Sequence, residues 1–143
     1  MAYSTTTELE AYATARGYTI LGTASELLTL ANDYIETAEY QGYRYDRTQA
    51  TKWPRYGVLI EDYPIPSDVV PDGIKKAEMQ LAIEIDKGFN PLSIVERAIK
   101  REKVDVLETE YMDSASSSEI IRSVNAMLAP YLANRGGFGV SRA

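Results

Sequence analysis

The chain has 143 residues, with 21 acidic against 15 basic side chains, a formal charge of −6, and neither cysteine nor histidine. Disulfides, thiolate or His-based zinc sites, and Ser-His-Asp or Cys-His nucleophiles are therefore excluded. The acidic balance also argues against broad electrostatic capture of nucleic-acid phosphates, which needs clustered Lys and Arg.

A chain of this length matches one domain, and burying roughly 68–70% of its unfolded surface sustains one core without covalent staples. The polar, Thr-rich stretch Met1 to Glu10 lacks the basic-then-apolar order of a secretory signal, and no apolar run approaches the ~20 residues that span a bilayer. A soluble protein in a reducing interior, without membrane contact, is expected.

Thr5 and Glu8 have capping-box spacing, and Leu9, Tyr12 and Ala13 follow with helical periodicity, which predicts a first helix over Thr6 to Arg16 ended by Gly17. Thr23 and Glu26 repeat the box. Leu27, Ala31, Tyr34, Ile35 and Ala38 then line one face of a second helix, Ala24 to Tyr40, with Asn32, Asp33, Glu36 and Glu39 opposite. From Gln41 to Val70, two glycines and three prolines break every regular pattern, predicting a long ordered loop. It holds the sole tryptophan, and Trp53, Pro54 and Arg55 are read as its clamp on the helical core.

Pro71 suits the first position of a third helix striped by Ile74, Ala77, Leu81, Ala82 and Ile85 and closed by Gly88. Met79 and Ile83 project about 140° and 180° from Ile74, so this helix is apolar on two sides. The second side is assigned to another element or, as a subunit interface, to a neighbouring copy. Leu92, Val95 and Ile99 have helical spacing, but residues 92–102 stay open between helix, strand and loop. The basic cluster Arg97, Lys100, Arg101 and Lys103 is interrupted by Glu96 and Glu102 and reads as a solvated face. Period-two alternation near 103–111 suggests a strand or hairpin. After a Ser-rich linker, Ile120, Ile121, Val124, Met127, Leu128 and Tyr131 mark a fourth helix that Pro130 should kink or end. The fold class expected is mainly α: a small bundle of about four helices spanning 1–133, with a long ordered loop, a short β element and an extended, flexible C-terminal arm at 134–143.

No phosphate-cradling glycine motif is present, since Gly136, Gly137 and Gly139 precede no helix. Glu61 with Asp62, and Glu108 with Glu110, are carboxylate pairs, but the latter alternate with apolar residues as the wet face of a strand would. No catalytic site, cofactor or metal is expected, and the chain reads as a non-enzyme. Eleven tyrosines include Tyr34, Tyr40, Tyr43, Tyr45 and Tyr56 around helix two and the loop. Such rings can stack on single-stranded bases, yet they also serve cores and protein interfaces, which is the reading preferred here.

Trp53, Pro54, Arg55, Tyr56, Gly57 and Val58, then Ile65 and Pro66, then Ile74, Ala77, Leu81 and Ala82 form an ordered series. It continues through Lys103, Val104, Glu108 and Tyr111, then Leu128 to Leu132, and Gly136, Gly137 and Phe138. The series resembles the head-to-tail adaptor (connector) proteins of tailed bacteriophages, some of whose relatives carry a DnaT-like single-strand-binding label. The resemblance implies a virion neck protein, made in the host bacterial cytoplasm and acting in virus assembly and genome ejection. It would form a homo-oligomeric, dodecameric ring joining the portal protein to a downstream neck or tail protein, with DNA passing through without sequence-specific binding. It further implies that Arg135, Phe138, Val140 and Arg142 belong to an arm docked on the portal. The alternative it carries is single-stranded-DNA binding.

Overall fold

The computed structural model describes residues 2–91 and 119–133. Three helices, α1 (Thr6–Ala15), α2 (Ala24–Ile35) and α3 (Asp72–Asp86), precede a fourth, α4, seen over 119–128 and followed by a 3-10 turn, Ala129–Tyr131. Between α2 and α3 lie four two-residue strands, β1 (Tyr43–Arg44), β2 (Arg55–Tyr56), β3 (Leu59–Ile60) and β4 (Tyr63–Pro64), paired antiparallel as β1–β2 and β3–β4. The fold is mainly α.

The Thr5–Glu8 box forms as the sequence predicts: the Glu8 N–H donates to Thr5 Oγ1 at 3.1 Å, and the Thr5 N–H donates to Glu8 Oε1 at 2.9 Å. Gly17, at φ 74°, ends α1 in a conformation that costs glycine nothing. The Thr23–Glu26 box does not form; Thr23 makes no side-chain cap. The approach to α2 is instead fixed from α3, where Asp86 accepts the N–H groups of Leu21 and Gly22 and the hydroxyl of Tyr18. The chain leaves helical geometry after Ile35, five residues before the predicted end at Tyr40, whose hydroxyl donates back to the Ile35 carbonyl at 2.7 Å.

Both apolar sides of α3 are covered within this one chain: it packs on α1 and α2, and Ile74, Ala77, Met79, Leu81, Ala82 and Ile83 are all buried. Met79 and Ile83, assigned to a subunit interface, therefore belong to the chain's own core. Pro71, predicted as the first helical residue, is instead the N-cap, with the helix starting one place later at Asp72, and Gly88, at φ 112°, follows the C-cap Lys87. Pro130 lies in the 3-10 turn that ends α4.

The Gln41–Val70 segment is more regular than a bare loop, because two hairpins punctuate it. Trp53 is 1% exposed and packs edge-on against Tyr40 and Tyr131, with ring centroids 5.2 and 5.8 Å away. Room for Tyr131 comes from Gly73, where a Cβ would fall 2.4 Å from the tyrosine oxygen. Gln41 ties the two ends of this layer together. Its side-chain amide donates to Leu59 O at 3.1 Å and Pro130 O at 2.8 Å, and its oxygen accepts from the Leu59 N–H at 3.1 Å. Its backbone N–H reaches Tyr131 O, and Ala133 N–H reaches Glu39 O, both at 2.9 Å. The expected strand near 103–111, the 92–102 segment, the Arg97 to Lys103 cluster and the arm carrying Arg135, Phe138, Val140 and Arg142 lie outside the described residues.

Candidate nucleic-acid interface

The β1–β2 hairpin begins at a glycine that nothing else can replace. Gly42 has φ 72°, and a Cβ there would lie 2.0 Å from Tyr56 O, so only glycine lets the two backbones meet. The register pairs Tyr43 with Tyr56 and Arg44 with Arg55, and the Tyr45 N–H extends the ladder to Pro54 O at 3.0 Å. Alternation along a strand puts Tyr43, Tyr45 and Tyr56 on one face and the two arginines on the other. The three tyrosines are 70%, 54% and 48% exposed.

Arg55 turns toward the protein and binds loop carbonyls: Gln41 O and Gly42 O at 2.6 Å, Lys52 O at 3.1 Å, and Tyr40 O more weakly at 3.4 Å. Burial, reinforced by Arg44 nearby, pushes its pKa below the ordinary arginine value. Arg55 is thus a structural cap. Over 42–58 the chain carries four cations, Arg44, Arg47, Lys52 and Arg55, against one carboxylate, Asp46. Asp46 is committed to the Thr48 N–H and hydroxyl at 3.0 and 2.9 Å, bonds that hold its pKa below the usual carboxylate range. Lys52 is committed to Ala38 O at 2.6 Å. Arg44 uses only Nε, on Thr51 O at 3.2 Å, and Arg47 has no partner among the described residues. Two exposed guanidinium groups therefore keep N–H donors unused, Arg44 on the face opposite the tyrosines and Arg47 in the turn beyond β1, even in an acidic chain.

The hairpin is anchored from below. Tyr3 donates its hydroxyl to Glu36 and accepts from the Trp53 N–H at 3.2 Å, while Glu36 also accepts from the Lys52 N–H at 3.0 Å. Burial, then Glu36, pushes the Tyr3 phenol strongly upward, so it stays a donor. The backbone around Tyr3 is in turn held by Glu78, a fully buried carboxylate on α3. It accepts from the Tyr3 N–H at 3.0 Å, the Ser4 N–H at 2.9 Å and Asn32 Nδ2 at 2.9 Å. Desolvation outweighs those donors and raises its pKa.

Of the residues singled out from sequence, Trp53, Pro54 and Arg55 stand together at the base of this hairpin, whereas Met79 and Ile83 lie in the helical core. The five crowded tyrosines divide: Tyr40 is buried, Tyr34 half-buried, and Tyr43, Tyr45 and Tyr56 open to solvent. Gly42, Arg44, Arg47 and Glu78 were not singled out. A carboxylate four residues after Ile74 on an apolar stripe was a readable signal. A groove of about 360 Å³ lined by Tyr34, Thr37, Ala38, Glu39, Asn125, Leu128, Leu132 and Ala133 has Glu39 as its only charged group and suits a polyanion poorly. Among the described residues, no cluster of three or more potential ligands could hold a metal, and no helix is long and apolar enough to cross a membrane.

A protein-family model described as "Putative DnaT-like ssDNA binding protein" matches residues 2–143. No curated protein and no solved structure matches the chain. The family match corrects the expectation of a phage virion head-to-tail connector, since it selects the single-strand-binding label that was carried as the alternative. With the match spanning all but its first residue, the chain belongs to this DnaT-like family.

Proposed function

We propose that the protein binds single-stranded DNA on the β1–β2 hairpin, with Tyr43, Tyr45 and Tyr56 stacking on bases and Arg44 and Arg47 meeting phosphates. The observation that carries this reading is three adjacent tyrosines held face-out on a hairpin whose only carboxylate is already satisfied. Family membership supports it. Stacking tolerates any base because every base has a π-face, and contributes about 1–3 kcal/mol per base. Binding is accordingly not sequence-specific. Duplex DNA hides those faces in its own stack, so single strands are favoured.

The test is fluorescence anisotropy of a labelled oligothymidylate against a duplex of equal length. Binding should favour the single strand, and log K should fall with log salt at a slope of about −1.4, the value for two phosphates on a single strand. Tyr43→Ala and Arg47→Ala should each weaken binding, with the second also flattening the salt dependence. Equal affinity for duplex and single strand, or tyrosine variants that bind as wild type does, would overturn the assignment.

A further inference from the structure

We infer that Tyr3 is a positioning residue for the β1–β2 hairpin: its hydroxyl, shared between Glu36 and the Trp53 backbone, holds the hairpin in the arrangement that binds a strand. The inference rests on the single-strand-binding reading and adds how that site is kept in shape. Between Tyr45 and Pro54 most polar contacts stay within the loop, such as Asp46 with Thr48, Gln49 with Thr51 and Pro54, and Thr51 with Trp53 O. Hydrogen bonds from the helical body and the N-terminal segment meet this loop at Lys52 and Trp53. Glu36 accepts the Lys52 N–H at 3.0 Å, Ala38 O accepts from Lys52 Nζ at 2.6 Å, and the Tyr3 hydroxyl accepts the Trp53 N–H at 3.2 Å while donating to Glu36. One hydroxyl thus joins both backbone anchors, directly at Trp53 and through Glu36 at Lys52. The hairpin ladder begins at the next residues, where Pro54 O accepts the Tyr45 N–H at 3.0 Å and Arg55 and Tyr56 pair with Arg44 and Tyr43. A shift at 52–53 therefore passes straight into the ladder.

Tyr3 is in turn fixed from the core. Both oxygens of the buried Glu78 accept from the Tyr3 N–H, at 3.2 and 3.0 Å, and the Ser4 N–H and Asn32 Nδ2 complete the shell at 2.9 Å each. The Ser4 hydroxyl adds a long bond to Lys75 O at 3.4 Å. Among the described residues no cation pairs with Glu78. Burying a carboxylate costs more than packing an apolar residue at the same place on α3, and the best-attested use of such a group is to fix register. What Glu78 fixes is the backbone of Tyr3, and so the point from which the phenol reaches Glu36 and Trp53. A binding surface keeps its geometry only when the groups behind it are themselves locked, which is the part played by this chain of bonds from Glu78 through Tyr3 to β2.

The test is Tyr3→Phe, which keeps the ring and deletes the hydroxyl, measured against labelled oligothymidylate well below the melting midpoint. Losing one such bond behind the hairpin corresponds to about tenfold in affinity. The salt slope should stay at the wild-type value, because no phosphate contact is removed. Amide exchange should quicken at Trp53 and Lys52 while the α3 amides of Leu81 and Ala82 keep their protection. Glu36→Gln, which leaves one acceptor oxygen for the Tyr3 hydroxyl and the Lys52 N–H, should weaken binding in the same way and serves in its place if Tyr3→Phe does not fold. The control is Asp86→Asn, which loosens the bonds to Tyr18, Leu21 and Gly22 and makes no hydrogen bond to the hairpin, so it should bind as wild type does. If wild type binds but Tyr3→Phe and Glu36→Gln bind equally well, or Asp86→Asn weakens binding as much as they do, the positioning role is wrong while single-strand binding stands. If wild type itself does not bind oligothymidylate, both readings fall.

Discussion

Removing the Trp53 side chain should separate the clamp from mere surface packing. The indole is 1% exposed and wedged edge-on between Tyr40 at 5.2 Å and Tyr131 at 5.8 Å. Truncating a core tryptophan costs about 3–5 kcal/mol, a figure that includes the loss of two aromatic pairs each contributing about 0.5–1.5 kcal/mol. For a chain of this size, where 1 kcal/mol moves the midpoint by about 3–4 °C, Trp53→Ala should lower the melting temperature by roughly 10–20 °C. Trp53→Phe should behave differently. The indole N–H is buried without a well-formed hydrogen bond; its one polar neighbour is the Tyr40 hydroxyl, which donates to Ile35 O and faces the indole only as a poorly aligned acceptor. Phenylalanine keeps an aromatic ring and removes an orphan donor whose desolvation costs about 1–3 kcal/mol, offsetting much of the lost volume. Scanning calorimetry of the three proteins decides the matter. A Trp53→Ala midpoint within about 3 °C of wild type, or a Trp53→Phe midpoint as low as that of Trp53→Ala, would refute the reasoning.

Glu78→Gln places an amide donor against the Tyr3, Ser4 and Asn32 donors and should destabilise by about 1–3 kcal/mol in urea titrations. Because burial raises the folded-state pKa of Glu78 above its unfolded value, its linked stability is fully present below the unfolded pKa and lost as pH rises through the folded one. The wild-type advantage over Glu78→Gln should therefore widen on acidification from neutral pH, and a narrowing gap would count against this. Glu61 and Asp62 form the β3–β4 turn with φ of 52° and 70°, both left-handed. The double change Glu61→Asn with Asp62→Gly should raise stability by about 0.5–1 kcal/mol, read as a higher melting midpoint. Gly42→Ala should disrupt the β1–β2 hairpin through its clash with Tyr56 O; a variant that still binds oligothymidylate as tightly as wild type would disconnect the hairpin from binding.

What the sequence disclosed, and what it hid, follows from how local each feature is. The Thr5–Glu8 box is a contact between residues three apart, so it is legible and forms. Thr23 and Glu26 have the same spacing but lose to a long-range partner, Asp86, which captures the amides just ahead of α2. The apolar residues of α3 were readable, but not that other parts of the same chain cover both its sides. The hairpins were illegible because strands of two residues are too short to display alternation, and their register comes from Gly42 and the carbonyl bonds of Arg55. Composition could not separate Tyr40, which faces Trp53, from Tyr43, which faces solvent, until that register was known. Net charge is blind for a related reason: it sums over the chain, whereas Arg44 and Arg47 stand where the only carboxylate within residues 42–58 is already bonded.

Gln41 joins Leu59, eighteen residues away, to Pro130, eighty-nine away, through one side chain. Such a junction makes the hairpin layer and the end of the helical bundle a single cooperative unit, since neither can open without breaking the same bonds. Native-state hydrogen exchange should find the amides of Gln41, Leu59 and Ala133 exchanging with a common opening free energy. Substituting Gln41 by alanine should split them into separate rates, so that the terminal turn opens independently of the hairpins.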